Sequence, residues 1–421
     1  MHSTVTLDEI LAPARIAAAW GKIRLNRGAA GEDHITINDL AENFPRLWAA
    51  VENAVRSGSY RAAPLRPVRI PKSSGGTRTL AIPSVIDRIL QQSFAVALAS
   101  RWESRFPPSS FAYRTGSGPQ TAIAAVLHSG QTHQHEPYAL HLDIRDFFDT
   151  IPCETLAAVL RDTPCDPVST EFALCSLRAP LASAFGPQAR ALGIPQGSPL
   201  SPVLSNAVLL PFDQCFPGGH TQLFRYADDM LLLCPDENSA HTALSSAKSA
   251  LADLGLEINQ GKTRLTPLSQ ASFLGFGFMK ERGIWVRDLP QATRNACIQH
   301  LRRMEDSART PSELSTFVAQ WAAYFLPHAD DRKRHRPFLE ELVRSFNLAT
   351  PVDNRPRNTP PSGYSYEGRR RDSRTFSRSR WAAWSLLHRF RIGLTFRRRG
   401  FMPIPSGIRI NIAGLHLHFR L

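Results

Sequence analysis

The sequence predicts an α+β fold in which a sheet carrying acidic residues is followed by a helical domain. Two apolar runs of strand length contain carboxylates: one ends near Asp143, and the other holds Asp228 and Asp229 at its centre. Segments with helical spacing of apolar residues lie between and after these runs. From Pro351 onward Pro, Asn, Ser and Arg dominate, which marks a linker. We therefore expect a sheet backed by helices at the centre of the molecule, with acidic residues on adjacent strands of that sheet.

Local patterns predict the elements in chain order. Helices are expected at 7–20, 39–57, 85–103, 119–129, 154–162, 238–254, 291–305 and within 311–346, with 163–192 mostly helical. Strands are expected at 67–72, 78–82, 138–144, 263–266 and 272–278, and a β-hairpin at 224–233. Ser198 and Ser201 each precede a proline, a pattern typical of an N-cap residue followed by the first helical position.

The two adjacent carboxylates decide the most informative prediction. Asp228 and Asp229 would be costly inside an apolar core, but they suit the tip of a hairpin that faces a cation. Asp143 supplies a third carboxylate from a neighbouring strand. Two divalent ions about 3.5–4 Å apart, held by carboxylates, are the machinery of phosphoryl transfer. Magnesium suits such all-oxygen sites, so the sequence predicts a two-metal phosphoryl-transfer centre.

The charge of the chain is concentrated at one end. The net charge of the 421 residues is +14, of which residues 351–421 carry +12 through 15 Arg and 3 acidic residues. The rest of the chain, at +2, is almost neutral. A high isoelectric point alone can reflect solubility, but this concentration favours a polyanionic partner.

Several classes of protein are not expected. The six cysteines contain no Cys-x-x-Cys pair, which argues against a structural zinc site or a disulfide framework and suits a reducing, cytoplasmic location. No signal peptide pattern is visible near the N-terminus. No apolar run approaches the ~20 residues of a membrane span, so no membrane association is predicted.

Nine short motifs follow one another along the chain. They are Arg27 to Gly31; Ile70-Pro71-Lys72 with Gly76 and Arg78; Ile82-Pro83 with Asp87, Arg88 and Gln91; Phe111 to Arg114 with Gly116; Asp143 to Phe148; Gln196 to Pro202; Tyr226-Ala227-Asp228-Asp229; Gly255-Leu256 with Lys262-Thr263-Arg264; and Phe273-Leu274-Gly275. In this order, from about Asn26 to Phe346, the chain resembles reverse transcriptases, in particular the bacterial group II intron-like class.

The resemblance implies a right-hand polymerase fold with fingers, palm and an α-helical thumb. It places an N-terminal and fingers region at 1–135, a palm with the catalytic aspartates at 136–285 and a thumb at 286–350. A basic C-terminal extension would occupy 351–421. Trp321 and Tyr324 are similar to residues of the thumb helix of intron maturases, and a core aromatic pair is the equally good alternative.

The resemblance also implies roles for individual residues. The catalytic residues would be Asp143, Asp228 and Asp229, and these with Ile144 would contact two Mg²⁺ ions, with Mn²⁺ as the alternative ion. The expected substrate-binding residues are Lys72 and Arg78 at the triphosphate, Phe148 as the residue that excludes a 2′-hydroxyl, Gln196 and Gly197 under the incoming nucleotide, and Lys262 as proton donor to pyrophosphate. The alternatives are a solvated hairpin for Lys72 and Arg78, core packing for Phe148, and a plain surface lysine for Lys262.

The function implied is an RNA-directed DNA polymerase with an RNA template, a DNA or RNA primer and dNTPs as partners. The Arg-rich tail is interleaved with aromatics such as Trp381 and Phe390, which suits binding of structured or single-stranded RNA. A solubilising tail is the alternative. No endonuclease region matches, which favours a standalone, domesticated element, in phage defence or CRISPR-associated. A non-mobile, intron-like role also stays open. A catalytically silent maturase-like splicing factor and a template-independent, protein-primed polymerase stay open, as does the oligomeric state.

Overall fold

The computed structural model describes residues 4–71, 77–163, 165–183 and 193–348, together with two short strands near the C-terminus. Lys72 and nearly all of the Arg-rich tail lie outside the described residues. The predictions made for them therefore stay predictions. No helix in the described ranges is long and apolar enough to cross a membrane. All six cysteines fall within these ranges, and each is a free thiol.

The helices of the described residues are numbered in chain order. They are α1 Leu7–Leu11, α2 Pro13–Asn26, α3 Ile37–Arg56, α4 Val85–Trp102, α5 Pro119–Thr132, α6 Phe147–Thr150, α7 Cys153–Asp162, α8 Pro167–Leu177, α9 Ser201–Val208, α10 Leu210–Gln214, α11 Glu237–Asp253, α12 Gln291–Asp306, α13 Pro311–Phe325, α14 Ala329–Arg334 and α15 Arg336–Ser345.

The strands form two hairpins and two larger sheets. They are β1 Arg66–Pro71, β2 Thr77–Ile82, β3 Tyr138–Asp143, β4 Gln222–Tyr226, β5 Asp229–Cys234, β6 Arg264–Pro267, β7 Ser272–Phe273, β8 Phe276–Glu281, β9 Ile284–Asp288, β10 Arg409–Ile412 and β11 Leu415–His418. β1 pairs with β2, and β10 pairs with β11. The central sheet has the order β4-β5-β3-β6, and a smaller sheet has the order β7-β8-β9.

The described chain divides into two compact units. The first holds the chain up to Leu274 together with Phe278–Val286, and the second holds Gly275–Gly277 and the chain from Arg287 onward. The first unit contains the central sheet and the β1–β2 hairpin. The second contains helices α12 to α15.

The central sheet is antiparallel throughout, and β3 lies between β5 and β6. Leu140 and Leu142 of β3 and Met230 and Leu232 of β5 are fully buried in the main core. Burial of each such side chain contributes about 1.5–3 kcal/mol. Because side chains alternate along a strand, this apolar face leaves the opposite face of β3 for residues such as Asp143. The prediction that the acids lie on adjacent strands is confirmed, since Asp143 pairs with Asp229.

The β1–β2 hairpin is tied to the rest of its unit at both strands. Leu65, just before β1, donates its amide to the Pro180 carbonyl, and its own carbonyl accepts from the Ala182 amide. Ala81 of β2 donates its amide to the Gln196 carbonyl at 3.2 Å. Leu65 and Ala81 are buried together in a small satellite core. The base of the hairpin is therefore anchored on both sides by backbone hydrogen bonds.

The second unit packs around aromatic residues of α13. Trp321 is buried and contacts the rings of Phe325 and Phe338 at centroid distances of 4.9 and 5.7 Å. Tyr324 is only partly buried and packs edge-on against Phe325. Of the two interpretations of Trp321, packing in the core accounts for its contacts.

Two local predictions were wrong. The segment predicted as one helix at 7–20 is interrupted at Ala12, because Pro13 begins a new helix as its first residue. The prediction that 163–192 is mostly helical is tested only in part, since α8 lies in this range but 164 and 184–192 are outside the described residues. The second error concerns the serines before α9. Neither serine caps α9, since Ser201 is its first residue and Leu200 its N-cap. Ser198 instead accepts the Leu200 amide and donates to Gln91.

Candidate active site

The tight turn between β4 and β5 places Asp228 at the tip of the hairpin, with Asp229 as the first residue of β5. Ala227 adopts a left-handed backbone conformation, with φ of 59°. A residue with a Cβ atom rarely adopts this conformation without support from its surroundings. The structure supplies that support through Arg225.

Arg225 is fully buried and directs its guanidinium into the base of this turn. One nitrogen donates to the Ala227 carbonyl at 3.2 Å, and the same nitrogen donates to Asn206 at 2.9 Å. Two further bonds, of 2.6 and 2.5 Å, reach both carboxylate oxygens of buried Asp213. A fifth, of 2.8 Å, reaches the Ser110 hydroxyl. The buried arginine thus fixes the carbonyl that immediately precedes Asp228.

Asp143 lies directly across the sheet from Asp229 and is held from the other side by the segment before β6. The Asn259 amide donates to the Asp143 carbonyl at 2.7 Å, and the Asn259 side chain donates to its carboxylate at 3.1 Å. The ammonium of Lys262 lies 3.0 Å from the same carboxylate. Lys262 is 57% exposed, so it can leave without disturbing the core. Asn259 is a site residue that the sequence motifs had not singled out.

Asp229 has its own partner on β3. His141 Nε2 forms a short hydrogen bond with Asp229 Oδ1, and its ring lies edge-on to buried Phe273. Burial alone would lower the pKa of His141, but the charge of Asp229 and this bond outweigh it and raise the pKa above its ordinary value. His141 stands two residues before Asp143, so the alternation of a strand places both on one face. That alternation is the sequence signal that could have identified it.

The pKa of Asp228 responds both to burial and to the neighbouring carboxylates. Burial raises the pKa of Asp228 to about 6, and the charges of Asp143 and Asp229 act in the same direction. The oxygen donors fit divalent magnesium, which prefers carboxylates. Among the residues described, however, no three His, Cys, Asp or Glu side chains are arranged ready-made around one ion. Asp143 faces Lys262 and Asp229 faces His141, so binding of an ion requires side-chain rotation.

Phe148 and Gln196, predicted to contact the nucleotide, are brought close to one another by backbone pairing. The Ile194 amide donates to the Phe148 carbonyl at 2.7 Å. Gly193 has φ of +84°, and a Cβ there would lie 2.5 Å from the same carbonyl, so glycine is required. The Gln196 side chain donates to Asp149 at 3.0 Å. Phe148 is partly exposed while it packs against Phe147 and the core.

Gly197 lies directly against β2 of the β1–β2 hairpin. A Cβ at Gly197 would lie 2.6 Å from the Ala81 carbonyl, so this glycine is required by the β1–β2 hairpin. Arg78 lies on that hairpin, partly exposed and opposite Ile70, while Lys72 falls outside the described residues. The Ile144 side chain is buried, so any contact with an ion must come from its backbone.

Residues 70–278 match the family model described as reverse transcriptase (RNA-dependent DNA polymerase). These residues therefore form a domain of the reverse transcriptase family. The central sheet and the β1–β2 hairpin accordingly form the palm and fingers fold of this family. The matched range includes Asp143, Asp228 and Asp229, together with His141 and the Gln196 segment.

Named relatives support a reverse transcriptase of the group II intron-like class. The chain is 33% identical over 162 residues to protein YkfC of Escherichia coli, covering 38% of this chain and 42% of that protein. It is 29% identical to the retron Mx65 reverse transcriptase of Myxococcus xanthus, covering 47% and 46%. It is 25% identical to the group II intron-encoded protein LtrA of Lactococcus lactis, covering 49% and 34%. The chain spans less than half the length of each of these relatives.

Proposed function

We propose that this reverse transcriptase-family chain is an RNA-directed DNA polymerase that extends a primer by two-metal nucleotidyl transfer on an RNA template. One observation carries the proposal: Asp143 and Asp229 pair directly across β3 and β5, and Asp228 stands in the adjoining turn. A scaffold that only bound RNA would gain nothing from three carboxylates so close together. Their mutual repulsion contributes to the raised pKa of Asp228, a cost that bound cations would offset.

Two Mg²⁺ ions, for which Mn²⁺ can substitute, would lower the pKa of the primer 3′-hydroxyl and neutralise charge on the triphosphate. Asp143 and Asp228 are the proposed ligands of both ions, with the Ile144 backbone and Asp229 in support. Because Asp143 faces Lys262 in this structure, its carboxylate must turn away from the ammonium to bind an ion. The freed Lys262 can then donate a proton to the leaving pyrophosphate.

We also propose roles for the other predicted substrate-binding residues. Phe148 is held by its backbone at a partly exposed position, which suits a role in excluding a 2′-hydroxyl. Asp149 accepts a hydrogen bond from the Gln196 amide nitrogen, which fixes the side chain expected under the nucleotide. Lys72 and Arg78 of the fingers hairpin are the proposed triphosphate contacts, where guanidinium and ammonium groups suit phosphate oxygens.

The proposal extends to the parts outside the matched range. Helices α12 to α15 are the proposed thumb, and the basic tail is the proposed contact with structured or single-stranded RNA. A standalone, domesticated element in phage defence or associated with CRISPR is the proposed biological setting. The genes beside this one would test that setting.

The test of catalysis is primer extension on an RNA template with Mg²⁺, comparing wild type with Asp228→Asn. Loss of one carboxylate should reduce the rate about 100-fold or more, because it removes charge that the transition state requires. Asp236→Asn is the matched control, since Asp236 only caps α11 after β5 and Asn caps helices equally well.

An Asp228→Asn rate within threefold of wild type would refute the assignment of the metal site. If wild type binds RNA but extends no primer, the alternative of a maturase-like RNA-binding factor is supported instead. DNA that forms without template and stays attached to the protein would support the protein-primed alternative.

A further inference from the structure

Every carboxylate of the site except Asp228 has a side-chain partner in the described structure. The partner of Asp229 differs from those of Asp143 because it is a ring held within a strand. Asp143 is held by an amide and a flexible, exposed lysine. Asp229 is held by His141, whose ring is fixed in a strand and packed against buried Phe273. A lysine on a flexible stem can leave when an ion arrives, whereas an imidazole held in the sheet cannot move far.

The geometry explains why such a partner is useful. Asp143 and Asp229 form a cross-strand pair of like charges, which is unfavourable in an antiparallel sheet. His141 stands opposite Leu231, so it reaches Asp229 along the diagonal of the ladder. This hydrogen bond holds Oδ1 of Asp229 beside His141.

We propose that His141 is a positioning residue which holds Asp229 by hydrogen bonding, so that Asp143 and Asp228 remain the two carboxylates that bind the ions. This inference rests on the proposed function, since it assigns the arrangement of the same site. A histidine that bonds a carboxylate beside an ion acts as other outer partners of metal sites do, by fixing orientation. The contact is made before any ion binds, so Asp229 is already held in its orientation while Asp143 must still turn away from Lys262.

The experiment measures binding of Tb³⁺ without turnover. Terbium is a hard cation that binds carboxylate oxygens, and its luminescence is excited by nearby tyrosine. His141→Leu and His141→Gln both remove the imidazole ring, but Gln keeps a donor nitrogen at a similar reach. His141→Leu should bind Tb³⁺ about tenfold more weakly than His141→Gln, the size of effect typical for loss of an outer partner. If His141 only filled space in the strand, Gln would not restore Tb³⁺ affinity better than Leu.

A double-mutant cycle identifies the target of the contact. In an Asp229→Ala background, the Leu and Gln variants of His141 should bind Tb³⁺ equally, because the acceptor is gone. Arg264 is the matched control, since it lies opposite His141 on β6 and bonds the Thr263 carbonyl. Leu and Gln at Arg264 should give equal affinities in the wild-type background.

Equal affinities for His141→Leu and His141→Gln would overturn the proposal, as would a difference between them that persists in the Asp229→Ala background. Melting temperatures verify folding, and His141→Thr replaces the Leu variant if that one does not fold, because Thr suits a strand but is too short to reach Asp229. The proposed function is tested separately by primer extension. Extension by wild type without any difference between Leu and Gln would leave that function standing and reject only the role of His141.

Discussion

Replacing Asp213 by Ala should destabilise the first unit by about 3–5 kcal/mol, the usual cost of leaving a buried charge without its partner. Both side chains of the Asp213–Arg225 pair have zero exposure, so no water can replace the lost carboxylate. Arg225 would lose the two shortest of its hydrogen bonds and keep those to Ser110, Asn206 and the Ala227 carbonyl. An uncompensated guanidinium would then remain in the core.

The measurement is the free energy of unfolding from urea denaturation, followed by circular dichroism. Asp162→Ala is the control, because Asp162 also pairs with an arginine, Arg105, but its side chain is 64% exposed. Surface pairs of this kind contribute little, so the control should leave the urea midpoint nearly unchanged.

A double replacement separates stability from catalysis. Asp213→Leu with Arg225→Met removes both charges and keeps the volume filled, so it should recover most of the stability lost in Asp213→Ala. Primer extension should nevertheless stay low, because the Ala227 carbonyl would have lost the donor that fixes the turn at Asp228. A loss below about 1 kcal/mol in Asp213→Ala would refute the reasoning, since it would mean that Arg225 is hydrated or neutralised in another way.

Three further predictions concern the sugar, the tail and a partly buried histidine. Phe148→Val should raise the ratio of rNTP to dNTP incorporation in an otherwise active enzyme, and an unchanged ratio would assign Phe148 to the core. Deleting residues 351–421 should weaken RNA binding, while extension of a saturating primer–template persists. The slope of log affinity against log salt concentration should flatten by several units, at about 0.7 per lost phosphate contact. Unchanged affinity would make the tail a solubility segment. Burial lowers the pKa of His300, whose ring packs at a tilt against Phe317, from 6.5 to about 4, so the neutral form is favoured in the folded state. The free energy of unfolding should therefore fall by up to about 3 kcal/mol as pH drops from 6.5 to 4, and His300→Phe should remove that dependence in urea titrations.

Motifs that depend on local spacing could be predicted from the sequence. The strand ending at Asp143 and the hairpin holding Asp228 and Asp229 were identified because alternation and apolar runs report strands directly. Their adjacency in one sheet could be predicted because carboxylates within apolar segments are energetically unfavourable unless they share a bound cation. The interruption at Ala12 was missed although Pro13 marks it, because the apolar spacing continues across the break.

The contacts that orient the site could not be predicted in the same way. The bond between His141 and Asp229 depends on strand register, which a single sequence does not specify. The role of Asn259 depends on the backbone path of the segment before β6, which turns its amide and side chain toward Asp143. The need for glycine at Gly197 became evident only when the Ala81 carbonyl was located beside it.

The anchoring of the β1–β2 hairpin at its base determines where that hairpin can bend. Leu65 and Ala81 are tied by backbone hydrogen bonds to segments on either side, and the Ala81 contact lies against Gly197. Because the base of the hairpin is held on both sides by backbone hydrogen bonds, a shift of β2 at Ala81 would displace the backbone of Gln196 and Gly197. This coupling joins two segments that are far apart in the sequence. It depends on backbone atoms and on the absence of a side chain at Gly197.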